Sequence, residues 1–92
     1  MFKENIPKKE DLLLKHYDNG DLAIFLQDEG YPVAEISLKN DNTNLLPNEF
    51  ILKSYSENAL LLQYIKKAAF IKYTNSFLQI GNHLCPICRL DL

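Results

Sequence analysis

Near its C-terminal end the chain runs His83-Leu84-Cys85-Pro86-Ile87-Cys88. Cys-x-x-Cys with proline after the first cysteine resembles half of a zinc knuckle, and His83 stands where a third ligand would. A structural zinc takes four ligands, commonly as two separated pairs. The other soft donor, His16, lies near the opposite end, and the chain holds no second cysteine pair. His83, Cys85 and Cys88 therefore define one alternative, a small zinc-stabilised binding module. The leading reading assigns no metal and no cofactor, makes Cys88 a buried core residue of the last strand, and puts Cys85 in a loop. Thiol redox chemistry needs a cysteine at the start of a helix after a strand. No helix is expected after Cys88.

Other chemistries find less. A catalytic base at His16 would need a nucleophile or carboxylate held beside it. The chain has no phosphate-binding glycine loop, dinucleotide fingerprint or His-Glu-x-x-His. The expectation is a protein that is not an enzyme.

Carboxylates are the more suggestive group. Residues 1–41 hold nine acids and five lysines, whereas residues 42–92 hold three acids and five bases. Asp18 and Asp21 flank Asn19-Gly20, and Asp28-Glu29 precedes Gly30. Acids beside glycine are ordinary turn chemistry. They can also steer an acidic face toward a basic partner. Tyr17 and Tyr31 adjoin these turns, and tyrosine beside carboxylates is favourable interface chemistry. Asp18, Asp21, Asp28, Glu29, Tyr17 and Tyr31 are thus the candidate partner-binding residues. A net charge of −2 with no basic run argues against direct nucleic-acid binding.

These residues sit on elements legible from spacing. At 92 residues and 47 % hydrophobic, the chain suffices for one core. Residues 1–10 are polar and aperiodic, a flexible N-terminal arm, and 11–92 form a single α+β domain. Leu12–Tyr17 and Leu22–Gln27 alternate as strands joined at Asn19-Gly20, a type I′ signal. Val33–Lys39 forms a third strand, with Ala34, Ile36 and Leu38 inward and Ser37 on the wetter side. Glu49–Tyr55 forms a fourth. Ser56 is the expected N-cap of a helix running to Ala68 or Ala69, with Leu60, Leu61, Tyr64, Ile65 and Ala68 on its buried stripe and Asn58 outside it. Phe70–Tyr73 and Phe77–Ile80 are short strands separated by Thr74-Asn75-Ser76, and Ile87–Leu90 closes the sheet. The order β-β-β-β-α-β-β predicts an antiparallel sheet of about five or six strands with one helix packed on one face. The strand near Leu12, guarded by Lys15, is a possible homodimer edge. The apolar runs are too short for a membrane span and no secretory leader is visible, so the expected location is the cytoplasm.

One segment, Leu46-Pro47-Asn48-Glu49-Phe50-Ile51-Leu52-Lys53-Ser54-Tyr55-Ser56-Glu57-Asn58, resembles the core of a family of small uncharacterised domains from bacterial plasmids, conjugative elements and phages. Pro86-Ile87-Cys88-Arg89-Leu90 resembles that family's ending, and Ala34–Lys39 fits a strand before the core. The chain departs at Tyr73-Thr74-Asn75-Ser76, where the family often has a Thr-Gly-Arg-like turn. The resemblance implies structural roles: Ser56 caps the helix, Glu57 and Asn58 bond backbone donors, and Arg89 pairs with Glu57 or Glu49. It also implies a context in which small proteins block host immunity. The functional expectation is a non-enzymatic protein that binds and inhibits a bacterial defence protein in the host cell, a CRISPR effector being favoured (an anti-CRISPR). The alternatives are the zinc module and a self-associating accessory protein of plasmid or phage maintenance.

Overall fold

The computed structural model describes residues 8–41 and 44–92, apart from the Glu57 side chain. It is a small α+β fold dominated by antiparallel sheet. Strands β1 (Leu12–His16), β2 (Leu22–Asp28) and β3 (Tyr31–Glu35) form one sheet in that order. Strands β4 (Ser37–Leu38), β5 (Glu49–Leu52), β6 (Ile71–Ile80) and β7 (His83–Leu90) form a second, in the order β4-β5-β7-β6. Of the expected arm, residues 1–7 lie outside the described residues. Its last residues are held: Lys9–Asp11 make a 3-10 turn, and the Gln27 amide donates to the Glu10 carbonyl at 3.0 Å.

The single expected sheet is instead two, joined through Ile36. The expected strand Val33–Lys39 breaks there. Before the break β3 pairs with β2; after it β4 pairs with β5. Ile36 N–H donates to Ile24 at 2.9 Å and its carbonyl accepts from Lys53 at 2.9 Å, so this residue belongs to both sheets. The break follows from Ser37. Its hydroxyl accepts the Ile24 N–H at 2.8 Å, a donor that a ladder carbonyl would otherwise take. Ser37 is therefore fully buried, not on the wetter side.

Turn chemistry also differs from expectation. At the β1–β2 hairpin, Gly20 N–H donates to Tyr17 and Tyr17 N–H donates to Asp21. Gly20 has φ 91° while Asn19 stays out of the positive region. This is a three-residue loop with glycine in the left-handed position. The type I′ turn lies at β2–β3 instead, where Glu29 (φ 51°) and Gly30 (φ 86°) are both positive and Asp28 pairs with Tyr31.

The expected helix is replaced by a 3-10 segment, Ser56–Leu60, and one α turn, α1 (Leu62–Ile65). Ser56 is not the N-cap. It sits at φ 61° and Tyr55 occupies the cap without a side-chain bond. Of the expected stripe, Ile65 and Ala68 enter the core, whereas Leu60 is exposed. Asn58 is fully buried, and its amide donates to the carbonyls of Glu35 (2.7 Å) and Lys53 (3.0 Å). These are acceptors, not the donors expected. They pin the segment across the seam between the sheets and hold it off a regular helical path. A left-handed non-glycine costs roughly 1 kcal/mol or more. Ser56→Gly should relieve it, raising the melting temperature by roughly 2–4 °C. Ser56→Ala, with no cap bond to lose and the same left-handed strain to bear, should lower it by up to a few degrees. Parallel thermal melts of the two variants check the opposite signs.

β6 runs unbroken through Thr74-Asn75-Ser76, where two short strands were expected. Tyr73 pairs with Cys88 and Ser76 with Ile87, so Thr74 and Asn75 form a bulge. The Thr74 hydroxyl donates to Ile87 at 2.7 Å and fastens it. The main core brings Ile24 and Leu26 of one sheet, with Ile36 at the junction, against Phe50, Leu52 and Cys88 of the other.

Candidate partner-binding site

The expected acidic residues occupy both ends of β2. Asp18 and Asp21 lie at the β1–β2 loop; Asp28 and Glu29 lie at the β2–β3 turn. At about 3.3 Å per residue, β2 separates the two groups by roughly 20 Å. They do not make one patch.

The β1–β2 end is the more organised. The Asn19 amide donates to Asp21 Oδ2 at 3.1 Å and to Asp41 Oδ1 at 2.9 Å, while its Oδ1 accepts the Asp21 N–H at 2.9 Å. One asparagine thus fixes two carboxylates, one of them 22 residues from it in sequence. Asp18 is 82 % exposed in its side chain and pairs with Lys39 at 2.5 Å. The hydrogen bond from that ammonium holds the Asp18 carboxyl below its usual range, so the group stays ionised. The tip therefore carries Asp21 and Asp41 tied together by Asn19, with Asp18 beside them on Lys39. Sequence reasoning missed Asp41 as a site residue. Its local signal was only a polar Asn40–Asn44 loop, and nothing in that spacing shows which hairpin it meets.

Behind the tip a directed chain of hydrogen bonds anchors Tyr17. The Tyr17 hydroxyl donates to Glu35 Oε2 at 2.5 Å and pairs with Ser37 Oγ at 2.9 Å. With the Tyr17 proton committed to Glu35, Ser37 is the donor in the second bond. The chain then runs Ile24 N–H to Ser37, Ser37 to Tyr17, and Tyr17 to Glu35. Burial and the Glu35 bond push the Tyr17 phenol well above its ordinary pKa. Its hydroxyl is spent inside the fold, and its place is to set the hairpin from which Asp18 projects. At the opposite end Tyr31 is 76 % exposed.

His83, Cys85 and Cys88, the residues of the zinc alternative, are not gathered into one group of ligands. Cys85 lies within β7, fully buried, rather than in a loop. Residues three apart on a strand point to opposite faces. Cys85 and Cys88 accordingly are both free. Burial pushes the Cys88 thiol up to about 12, so it is not a thiolate at neutral pH. His83 stacks on Tyr55, centroids 3.9 Å apart. Among the described residues no group of three or more His, Cys, Asp or Glu is placed to hold a metal ion. The exposed His16 lies on edge strand β1. Arg89 makes a two-pronged bond to Asp91, Nε at 2.9 Å and Nη2 at 3.0 Å. Of its expected partners, Glu49 stands opposite it in the β5–β7 ladder and the Glu57 side chain lies outside the described residues.

A second surface was not anticipated. An open groove of about 390 Å³ is lined by Ser54, Leu62, Lys66, Tyr73, Phe77, Leu84 and Pro86. Burial pushes the Tyr73 phenol up to about 12. Beyond Tyr73 the apolar face of β6–β7 continues out of the core, with Phe77 and Leu84 more than half exposed. Among the described residues no helix is long and apolar enough to cross a membrane. No family model, curated protein or solved structure matches the chain.

Proposed function

We propose that the chain is a non-enzymatic phage or mobile-element protein that binds and inhibits a bacterial defence protein inside the host cell, a CRISPR effector being the favoured partner. The observation that carries this reading is the acidic tip, where Asn19 ties Asp21 to Asp41 beside the exposed Asp18. Defence nucleases present cationic surfaces to nucleic-acid phosphates. Carboxylates already cross-linked in the free protein lose little freedom on meeting such a surface. They would compete there with the nucleic acid itself and repel phosphate from the inhibitor, so no direct nucleic-acid binding is expected. The resemblance of residues 46–58 and 86–90 to domains of mobile elements supplies the biological setting.

The test compares the two ends of β2. Asp18→Lys, Asp21→Lys and Asp41→Lys together should weaken inhibition of CRISPR interference, and binding to the effector, by about tenfold or more, since each rim charge contributes up to ~1 kcal/mol. Asp28→Lys with Glu29→Lys should weaken them less. Wild-type binding should also fall as salt rises. Full inhibition by the triple variant would overturn the assignment of the tip. Inhibition of no CRISPR system by the wild type would overturn the CRISPR partner.

A further inference from the structure

Each sheet ends in two outer strands: β1 and β3 in one, β4 and β6 in the other. An outer strand presents unpaired N–H and C=O groups that template another strand unless charge, proline, shortness or a bulge prevents it. β1 carries exposed Lys15 and His16. β3 carries Pro32, and the Asn58 amide occupies its Glu35 carbonyl. β4 is two residues long. The first half of β6 carries Lys72 and ends at the Thr74-Asn75 bulge, where Asn75 has φ 68°. The second half, Ser76–Ile80, has none of these devices. No Asp, Glu, Lys or Arg occurs from Tyr73 to Cys88. The sheet face beside this edge is apolar and bare, with Phe77 55 % and Leu84 60 % exposed.

We infer that Ser76–Ile80 pairs antiparallel with the same segment of a second copy, about a two-fold axis at Leu78, to form a homodimer. An antiparallel edge is self-complementary under a two-fold axis, because residue i opposes j and j opposes i. Centring on Leu78 uses the whole stretch between the bulge and the Gly81-Asn82 turn. Ser76 then opposes the copy's Ile80, and Phe77 opposes its Gln79. The two Phe77 rings become diagonal neighbours on one face, within aromatic reach across the seam. Charge selects a second copy as the occupant. A two-fold axis brings like charges together near itself, and this segment has none to repel. Among the described residues that line the groove, a charged partner would find only Lys66, on its helical side, to answer it. The continuous sheet extends the apolar face of each copy and withdraws Phe77 from water. This edge differs from the β1 edge expected from sequence, and the inference stands independently of the proposed inhibitory role.

Sedimentation velocity with light scattering, from about 5 to 500 µM, suits the weak association of a short edge-to-edge interface. The mass should rise from 10.6 kDa toward twice that value. Phe77→Lys with Gln79→Lys places lysine against lysine across the seam and should give a monomer throughout the range. Phe77→Lys with Gln79→Glu restores opposite charges and should return the dimer in a salt-sensitive form. Leu14→Lys, on β1, should change nothing. Circular dichroism and melting confirm that each variant folds; should the double lysine variant unfold, Gln79→Lys alone should still weaken the dimer. A wild type that stays monomeric at about 500 µM, a folded double lysine variant that remains dimeric, or dissociation by Leu14→Lys would overturn the inference.

Discussion

Asn58→Ala is expected to cost roughly 2–5 kcal/mol, a large share of the stability of a domain this size. The side chain is fully buried and donates to the carbonyls of Glu35, at the end of β3, and Lys53, the residue after β5. Truncation removes both donors and opens a small void at the seam. At roughly 4–8 °C per kcal/mol, the melting temperature should fall by at least ~8 °C. Asn58→Asp should be at least as damaging, because it sets a buried carboxylate against two carbonyl oxygens and donates to neither. The neighbouring Ile36 amide should exchange faster with solvent, since Ile36 is the residue shared by the sheets. Denaturant melts of both variants, with amide exchange, measure this. Wild-type melting by Asn58→Ala would show that the sheets hold together without the pin.

Ser37→Ala is expected to cost about 1–3 kcal/mol, the range for stranding one buried donor. The stranded group is the Ile24 N–H, which now bonds Ser37 Oγ at 2.8 Å. The Tyr17 hydroxyl also loses its Ser37 partner while keeping Glu35. Because the three bonds form one chain, Ser37→Ala and Tyr17→Phe should be non-additive. A double-mutant cycle should give a coupling of roughly 0.5 kcal/mol or more. Additive losses would mean that Tyr17 and Ser37 act separately, and the anchoring of the acidic loop by this chain would be lost with that result. The readout is urea unfolding of the four proteins of the cycle, fitted with a common slope.

Both predictions concern polar residues that sequence spacing assigned to the wrong side. Asn58 was expected outside a buried helical stripe, and Ser37 on the wet side of a strand. Each is buried with one hydrogen-bond partner far along the chain: Asn58 bonds Glu35, 23 residues away, and Ser37 bonds Tyr17, 20 residues away. A local window contains neither partner. The same holds at the acidic tip. Asp18 and Asp21 were visible beside Asn19-Gly20, but Asp41 joins them only through tertiary packing.

What the residues determined unaided was local and periodic. The alternation Leu22, Ile24, Leu26 marked the inner face of β2, and Ile24 and Leu26 are fully buried. Burial of Cys88 in a last antiparallel strand was legible from its apolar setting. The turns after Tyr17 and Asp28 were signalled by glycine, although which turn takes both residues left-handed was not. Tertiary structure alone decided the rest. It split one expected sheet at Ile36, reduced a helix to a 3-10 segment and one α turn, and joined two short strands through the Thr74-Asn75 bulge. The physical reason is common to all of these. Apolar alternation and turn propensity depend on neighbours in sequence, whereas pairing register, buried hydrogen bonds and exposed strand edges depend on partners brought together by folding.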